Sequence, residues 1–238
     1  MNVSLTRYQL QDSIATVTMD DGKANVMSVA MLGEINAALD RAEADRAVVV
    51  VLRGRPGMFS GGFDLSVFKR EPAEQLAMLT AGARLSERLL AFPHPVLAVC
   101  TGHAIAMGVF VLLSADVRLG VEGAFRIQAN EVQIGMTLPR FALEACRQRL
   151  TPTHYNLAAG TALPYTPSEA VAAGFLDALA PPEALDEAAQ QHATRLAGLS
   201  REAFSATRVR LRAQTLTAMA AAIDADVADW RQRLVGAA

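Results

Sequence analysis

Glu131 is the one ionisable side chain between Arg126 and Arg140, in the stretch RIQANEVQIGMTLPR. Most of its neighbours are apolar and are typical of a buried face. A lone carboxylate is costly to remove from water unless it is paired with a cation or used in chemistry. Glu131 is therefore a candidate general base, and an ion pair with Arg126 or Arg140 is the structural alternative.

Two glycine-containing loops could place backbone donors near such a base. The segment RGRPGMFSGGFDL (53–65) follows a β-branched run, and its adjacent glycines allow the backbone to approach a ligand closely. The segment CTGHAIAMGVFVLL (100–113) contains a helix that is predicted to begin near Met107, and free N–H groups at a helix N-terminus favour negative charge. Facing each other, the two loops would form an oxyanion hole from backbone alone. A plain strand–helix turn is the alternative for the first loop.

Signatures of several other enzyme classes are missing from the sequence. There is no HExxH, no GxSxG, no P-loop and no GxGxxG motif. The four histidines are not spaced with carboxylates or thiols as a metal site requires, so we expect no metal. His103 is interpreted as a structural or pocket-wall histidine.

The first part of the chain alternates between strand-like and helical patterns, which predicts an α/β fold with mainly parallel strands. The predicted strands are 3–10, 13–19, 47–54, 96–100 and 116–121, and the predicted helices are 28–45, 72–92 and a segment beginning near Met107. The run AVVVVLRG is continuous in β-branched residues and indicates a strand buried on both faces.

Beyond Pro139 the pattern becomes mainly helical. Three short helices are predicted at 140–150, 151–160 and 166–175, then a strand at 175–179, and only helix from 182 onwards. In the last helix an apolar stripe recurs at helical spacing, formed by Ile223, Val227, Trp230 and Leu234. Packing on a partner subunit is one way to bury this stripe. We therefore divide the chain into a core, 1–180, and a helical region for oligomerisation, 181–238.

Bulk composition excludes some functions. The 238 residues are 52% hydrophobic with a net charge of −2, and no basic field suits nucleic acid or anionic lipid. The N-terminal residues lack a signal-peptide pattern, so we expect a cytoplasmic protein. Both cysteines lie in apolar runs and are predicted to be buried thiols. The uncharged stretch 95–115 has the length of a membrane span, but Pro95 and an internal Thr-Gly-His favour a buried strand and helix instead.

Three blocks in this order and spacing, GMFSGGFDL, TGHAIAMG and NEVQIGMTLP, resemble the crotonase (enoyl-CoA hydratase/isomerase) superfamily. The resemblance covers roughly residues 3–179 and implies a spiral of ββα units with C-terminal helices that build trimers or dimers of trimers. It implies an acyl-CoA thioester substrate, with coenzyme A carried by that substrate and no separate cofactor.

The resemblance also implies roles for individual residues. Two backbone N–H groups would hold the thioester oxygen as an enolate forms, and these map onto Ser60 and Met107. The other implied residues contact the substrate or coenzyme A: Lys23, Ala24 and Asn25 at the adenine end, and Gly61, Gly62, Phe63, Asp64 and Phe110 around the thioester.

Two positions depart from the superfamily pattern. Met107 stands where the second oxyanion residue is usually glycine, so a side chain must be accommodated near the site. Phe110 stands where hydratases of the superfamily have a first catalytic glutamate, whereas Glu131 matches the second. The chain thus has one carboxylate instead of two, which resembles the Δ3,Δ2-enoyl-CoA isomerase branch.

The single carboxylate favours isomerisation over hydration. One base can move a proton between two carbons, whereas hydration needs a water that two carboxylates hold and deprotonate. An apolar wall at Phe110 would also raise the pKa of Glu131 and make it a better base. The sequence therefore predicts a 3-enoyl-CoA to 2-enoyl-CoA isomerase of fatty acid metabolism. The alternatives are a hydratase in which another residue positions the water, and a non-catalytic acyl-CoA-binding protein whose site Met107 fills.

Overall fold

The computed structural model describes residues 4–236. The strands are β1 (Thr6–Gln11), β2 (Ile14–Met19), β3 (Val49–Arg53), β4 (Gly57–Ser60), β5 (Val96–Cys100), β6 (Gly102–Ile105), β7 (Val117–Val121), β8 (Ile127–Gln128) and β9 (Ala178–Ala180). The α-helices are α1 (Val29–Ala44), α2 (Pro72–Ala91), α3 (Met107–Leu113), α4 (Arg140–Arg147), α5 (Pro152–Thr161), α6 (Pro167–Ala173), α7 (Leu185–Ala197) and α8 (Arg201–Val235).

The strands form two sheets. The larger sheet has the order β1-β2-β3-β5-β7-β9, and only its β1–β2 pair is antiparallel within the described residues. The smaller sheet, β4-β6-β8, is parallel and follows on directly from β3, β5 and β7 along the chain. Each turn of the chain therefore contributes one strand to each sheet, which brings the loops after β4 and β6 side by side.

Strand β3 is buried on both faces, as predicted. Val50 and Leu52 belong to the main core, whereas Val49 and Val51 belong to a second core on the opposite face of the large sheet. This alternation follows from the two-residue period of a strand. Helix α7 covers the second core with a stripe of four side chains at helical spacing: Leu185, Ala189, Ala193 and Leu196.

The last strand begins later than predicted, at Ala178 instead of residue 175. Gly174 ends α6 with a φ of +98°. The N–H groups of Phe175 and Leu176 then donate back to the Ala170 carbonyl, at 2.8 and 3.2 Å, so they are not free to join a sheet. A C-terminal glycine of this kind commonly closes a helix in this way.

The apolar stripe of α8 packs on its own chain, so burial of Ile223 and Trp230 needs no partner subunit. Helix α8 lies against α2 and α4. Ile223 is fully buried and Trp230 is 9% exposed. The Trp230 ring meets Phe141 of α4 edge-on, with ring centroids 6.4 Å apart. The region beyond residue 180 thus completes the core, and the boundary at 180 marks only a change in sequence pattern.

The stretch 95–115 is folded into β5, β6 and α3, as its interruptions suggested. Among residues 4–236, no helix has both the length and the apolar character needed to cross a membrane. Cys100 and Cys146 are buried free thiols, which confirms the prediction for both.

Candidate active site

A cavity of about 420 Å³ opens beside Glu131. Six parts of the chain form its wall: the loop after β4, the turn before α3, α3 itself, the segment 130–139, the N-terminal half of α2 and the end of α8. Most of its lining is apolar, and Glu131 and Arg233 are the ionisable side chains that line it within the described residues. A cavity of this size with few polar groups has the character of a small-molecule site.

Glu131 is buried and unpaired. It precedes a short 3-10 turn, Val132–Ile134, is 6% exposed, and its Oε2 has no hydrogen-bond partner among residues 4–236. Burial raises the pKa of Glu131 from 4.5 to about 7, because the charged form loses water. The alternative of an ion pair with Arg140 is wrong, because that guanidinium binds Asp226 and Asp229 at 3.2 and 2.6 Å.

Phe110 supplies the dry side of the cavity. Its ring meets Phe141 edge-on, with centroids 5.7 Å apart and an interplanar angle of 84°. Phe141 in turn contacts Trp230, so three aromatic rings run from α3 through α4 to α8. Phe110 and Trp230 line the cavity that contains Glu131, and burial in this apolar surrounding raises the pKa of Glu131.

Met107 begins its helix next to the cavity, and its side chain lies in the core. Helix α3 begins at Met107, and the N–H of that residue has no acceptor within residues 4–236. The preceding Ala106 lines the cavity with a φ of +50°, a strained value that turns the chain sharply there. The Met107 side chain is fully buried and is not part of the cavity wall. The structure therefore does not support the alternative in which Met107 fills the site.

The loop after β4 places Phe63, and not Ser60, at the cavity. Ser60 is fully buried behind the wall, where its hydroxyl donates to the Asn25 carbonyl at 2.7 Å and accepts from the Gly62 N–H at 3.1 Å. Phe63 lines the cavity, and its N–H has no acceptor in the described part of the chain. The geometry therefore moves the first candidate donor from Ser60 to Phe63.

Gly62 brings the two loops into contact. Its φ is +93°, and an added Cβ would lie 2.8 Å from the Ala106 Cβ and 3.4 Å from the Met107 nitrogen. Only glycine fits this conformation and this spacing without strain. Gly62 thus allows the two loops to pack against each other outside the cavity wall, whereas its neighbour Gly61 lines the cavity directly.

The residues expected at the adenine end have mixed placements. Asn25 is fully buried, and its amide donates to the carbonyls of Met19, Met58 and Phe59, so it has a structural role. The Ala24 carbonyl accepts from the Gly61 N–H at 2.7 Å, and Lys23 is exposed next to it. Lys23 and Ala24 therefore border the site and stay candidates for contacts with coenzyme A.

Asp64 caps a turn and does not line the cavity. Its Oδ1 accepts from the Ser66 N–H at 2.9 Å, just before the 3-10 turn Val67–Lys69. Asp64 thereby fixes the course of the chain where Leu65 and Phe68 enter the wall. This is the usual role of an aspartate at the start of a turn.

The sequence did not identify several wall residues. Asn130 lines the cavity, and its Oδ1 is buried without a partner in the described chain. Trp230, Arg233 and Leu234 come from the end of α8, and Gln75 and Leu79 from α2. The spacing of Gln75 and Leu79 predicts that they share a helix face, but no pattern shows that this face meets the cavity.

Comparison with known proteins gives a consistent result. A family model described as enoyl-CoA hydratase/isomerase matches residues 9–232. The apo structure of a Mycobacterium tuberculosis enoyl-CoA isomerase is 44% identical with a TM-score of 0.91, and the match covers 94% of this chain and 98% of that one. The same mycobacterial protein has also been described as a probable enoyl-CoA hydratase.

Two curated relatives also have names within the enoyl-CoA hydratase/isomerase family. Human mitochondrial enoyl-CoA delta isomerase 1 is 25% identical over 221 residues, which is 91% of this chain and 73% of its own length. A probable enoyl-CoA hydratase of Bacillus subtilis is 30% identical over 132 residues, 54% of this chain, and the match spans 50% of that relative's length.

These matches confirm the crotonase fold and the superfamily that the three sequence blocks indicated. They include proteins named as hydratases and proteins named as isomerases. The matches therefore identify the family but not the reaction, which has to be argued from the residues of the site. Since the family match extends over nearly the whole described chain, this chain belongs to the enoyl-CoA hydratase/isomerase family.

Proposed function

We propose that this protein isomerises 3-enoyl-CoA to 2-enoyl-CoA, with Glu131 as the single proton shuttle. The observation that carries the proposal is one buried carboxyl, without a cation partner among residues 4–236, that shares its cavity with Phe110 and Phe63. The N–H groups of Phe63 and of Met107, which lies beside Gly62, have no acceptor among the same residues. Within the described chain, the wall offers no second carboxylate to help activate a water.

The proton transfer needs a group that is first a base and then an acid. Glu131 removes a proton from C2 of the thioester and returns it to C4, while the double bond moves from C3–C4 to C2–C3. A pKa near 7 suits both steps, because the carboxylate is present at neutral pH and the acid it forms gives the proton back readily.

The negative charge moves to the thioester oxygen while Glu131 holds the proton. The N–H groups of Phe63 and Met107 are the donors that we assign to this oxygen. Met107 also stands at the N-terminus of α3, which favours negative charge there. Donors that are fixed before the reaction need no rearrangement as the charge develops.

The experiment is the substitution Glu131→Gln with 3-hexenoyl-CoA as substrate. Glutamine keeps the size of the side chain but cannot accept the proton, so we expect kcat to fall by about 100-fold or more. Glu122→Gln is the matched control, because Glu122 is exposed and lies away from the cavity wall. Turnover of the Glu131→Gln protein at the unmodified rate would rule out this assignment.

A hydratase is the second candidate, and Asn130 is the observation that favours it. Asn130 lines the same cavity as Glu131, and its buried Oδ1 has no donor among residues 4–236, so a water held between the two side chains would satisfy it. Addition of that water to 2-enoyl-CoA would place its oxygen on C3 and a proton on C2. Formation of 3-hydroxyacyl-CoA faster than isomerisation would favour this reaction.

Binding of acyl-CoA without turnover would instead favour the non-catalytic alternative.

The remaining expectations are proposals of the same kind. The substrate would be an acyl-CoA of fatty acid metabolism, and the protein a cytoplasmic homotrimer or hexamer. Light scattering of the purified protein would give the oligomeric state. Ile223 and Trp230 of the α8 stripe are already buried within their own chain, whereas Val227 and Leu234 are only partly buried.

A further inference from the structure

Gly82 lies where the side chains of the two proposed donor residues meet. It is buried in the middle of α2. An added Cβ would lie 2.6 Å from Cε1 and Cζ of Phe63 and 3.3 Å from Sδ of Met107. Both side chains therefore contact the same point on α2. Glycine lowers helix stability relative to alanine, so its presence in mid-helix is explained here by space.

The face of α2 that carries Gly82 is also the face that lines the cavity. Gln75, Leu79 and Gly82 are spaced by four and three residues, which places them on one side of the helix. Gln75 and Leu79 are wall residues. Gly82 continues this face inwards and forms a socket for the Phe63 ring and the Met107 thioether.

The two donors are thus held from two directions. On the backbone side, the two loops touch at Gly62 and Ala106. Away from the backbone, the side chains of Phe63 and Met107 both pack against Gly82. The same socket explains how the chain accommodates a methionine where the superfamily usually has glycine.

We infer that Gly82 is a positioning residue that sets the spacing of the Phe63 and Met107 N–H groups, and with it the strength with which the cavity holds an enolate oxygen. The inference rests on the proposed enolate chemistry. It assigns to α2, which contributes none of the proposed donors, the control of their geometry.

The test is Gly82→Ala in the full-length protein. The Phe63 ring must move to admit the new methyl group, and the Met107 Sδ must give way by a few tenths of an ångström; we expect the Phe63 N–H to move with its ring. Misplacement of reacting groups by about 1 Å can cost about 100-fold in rate, so we expect kcat to fall roughly 10- to 100-fold with a change in KM below about threefold. Gly33→Ala is the matched control, since Gly33 is an exposed glycine of α1 with no atom within 4 Å of an added Cβ.

A second readout separates this inference from the proposed function. Acetoacetyl-CoA ionises to an enolate with its own ultraviolet absorption, so its bound enolate fraction reports the oxyanion hole without any turnover. We expect Gly82→Ala to lower this fraction and Gly33→Ala to leave it unchanged. If Glu131→Gln keeps full isomerase activity while Gly82→Ala still lowers the enolate signal, the proposed function fails and the positioning role stands.

A second substitution that removes the contact between the new methyl group and the Phe63 ring should restore activity to the Gly82→Ala protein. Phe63→Ala keeps the N–H but empties part of the socket, so the pair Phe63→Ala with Gly82→Ala should recover activity relative to Gly82→Ala alone. An unchanged enolate signal in a folded Gly82→Ala protein would overturn the inference. If that variant does not fold, Phe63→Ala and Met107→Ala serve instead. Their effects should be non-additive if the two side chains share one socket, and strict additivity would also overturn it.

Discussion

At the scale of single residues, the raised pKa of Glu131 has a consequence for stability. Below pH 4.5 the carboxyl is protonated in both the folded and the unfolded chain. Between about pH 4.5 and 7 the unfolded chain loses this proton while the folded chain keeps it, so the free energy of unfolding falls as pH rises. A pKa raised from 4.5 to about 7 corresponds to about 3 kcal/mol lost by pH 8.

The substitution Glu131→Gln should therefore stabilise the protein at high pH. Glutamine cannot ionise, so the variant should be more stable than the unmodified protein by up to about 3 kcal/mol at pH 8 and nearly equal to it at pH 4. Urea unfolding at both pH values measures this difference, with Glu122→Gln as the exposed control. Equal stability of the two proteins at pH 8 would mean that burial of Glu131 carries no such cost. A catalytic group that lowers stability is the expected compromise in an active site.

Residue types alone predicted part of this site. Glu131 and Phe110 could be paired from the sequence because Glu131 stands in one recognisable block and Phe110 follows another by two residues. The first donor could not, because several N–H groups follow one another in a glycine-rich loop and only the folded backbone shows which one faces the cavity. The positive φ of Gly62 decides it and carries the chain from Ser60, behind the wall, to Phe63 on the wall.

At the scale of secondary structure, α8 docks on α2 through buried charges. The guanidinium groups of Arg208 and Arg212 donate to the carbonyls of Leu89 and Leu90, at 2.7 and 2.8 Å, near the end of α2. Cations at this end of a helix are favoured by its dipole. Asp116 faces both arginines, at 3.3 and 2.9 Å, and is their shared counterion.

The substitution Asp116→Asn should destabilise the protein strongly. It leaves two arginines, each with a side chain only 6% exposed, without their negative partner. Removal of one member of a buried ion pair typically costs about 3–5 kcal/mol. Asp224→Asn is the control, because Asp224 of α8 is 71% exposed in its pair with Arg84 and should contribute less than about 1 kcal/mol. Urea unfolding at pH 7 compares them, and equal losses would contradict the docking role of Asp116.

The α-helices and the strands of the large sheet were predictable, and the strands of the small sheet were not. The helices α1, α2 and α8 and the strand β3 have enough residues for a periodic pattern to appear. The small sheet is built from strands of 4, 4 and 2 residues, too short to show alternation, although it is this sheet that brings the loops of Phe63 and Met107 together.

At the scale of the whole molecule, the C-terminal helix α8 forms part of the wall of the cavity that contains Glu131. Trp230 and Leu234 of α8 line the same wall as Phe110 and Glu131. The apolar stripe of α8 was visible in the sequence, but its spacing could not show that its target lies in the same chain, because a stripe fits any complementary surface. The dryness of the site therefore depends on the docking of α8, which links the fold of the C-terminal region to the chemistry of Glu131.

This link predicts that a change in α8 will shift the pH dependence of a residue about a hundred positions earlier. Trp230→Ala removes the last ring of the aromatic series and admits water beside Phe141 and Phe110. The pKa of Glu131, which burial raises to about 7, should then fall towards 4.5, and the acid limb of kcat/KM should move to lower pH.

Replacing the buried Trp230 side chain by alanine also lowers the free energy of unfolding by about 3–5 kcal/mol. The pH profile of kcat/KM is therefore recorded only under conditions in which circular dichroism shows that the variant is folded. Val209→Ala is the control on the same helix, since Val209 is 64% exposed and is not part of the wall, and its profile should match that of the unmodified protein. An acid limb that stays near pH 7 in folded Trp230→Ala protein would show that α8 does not keep the site dry. A limb that moves only in this variant would show that water exclusion by the chain's own last helix sets the basicity of Glu131.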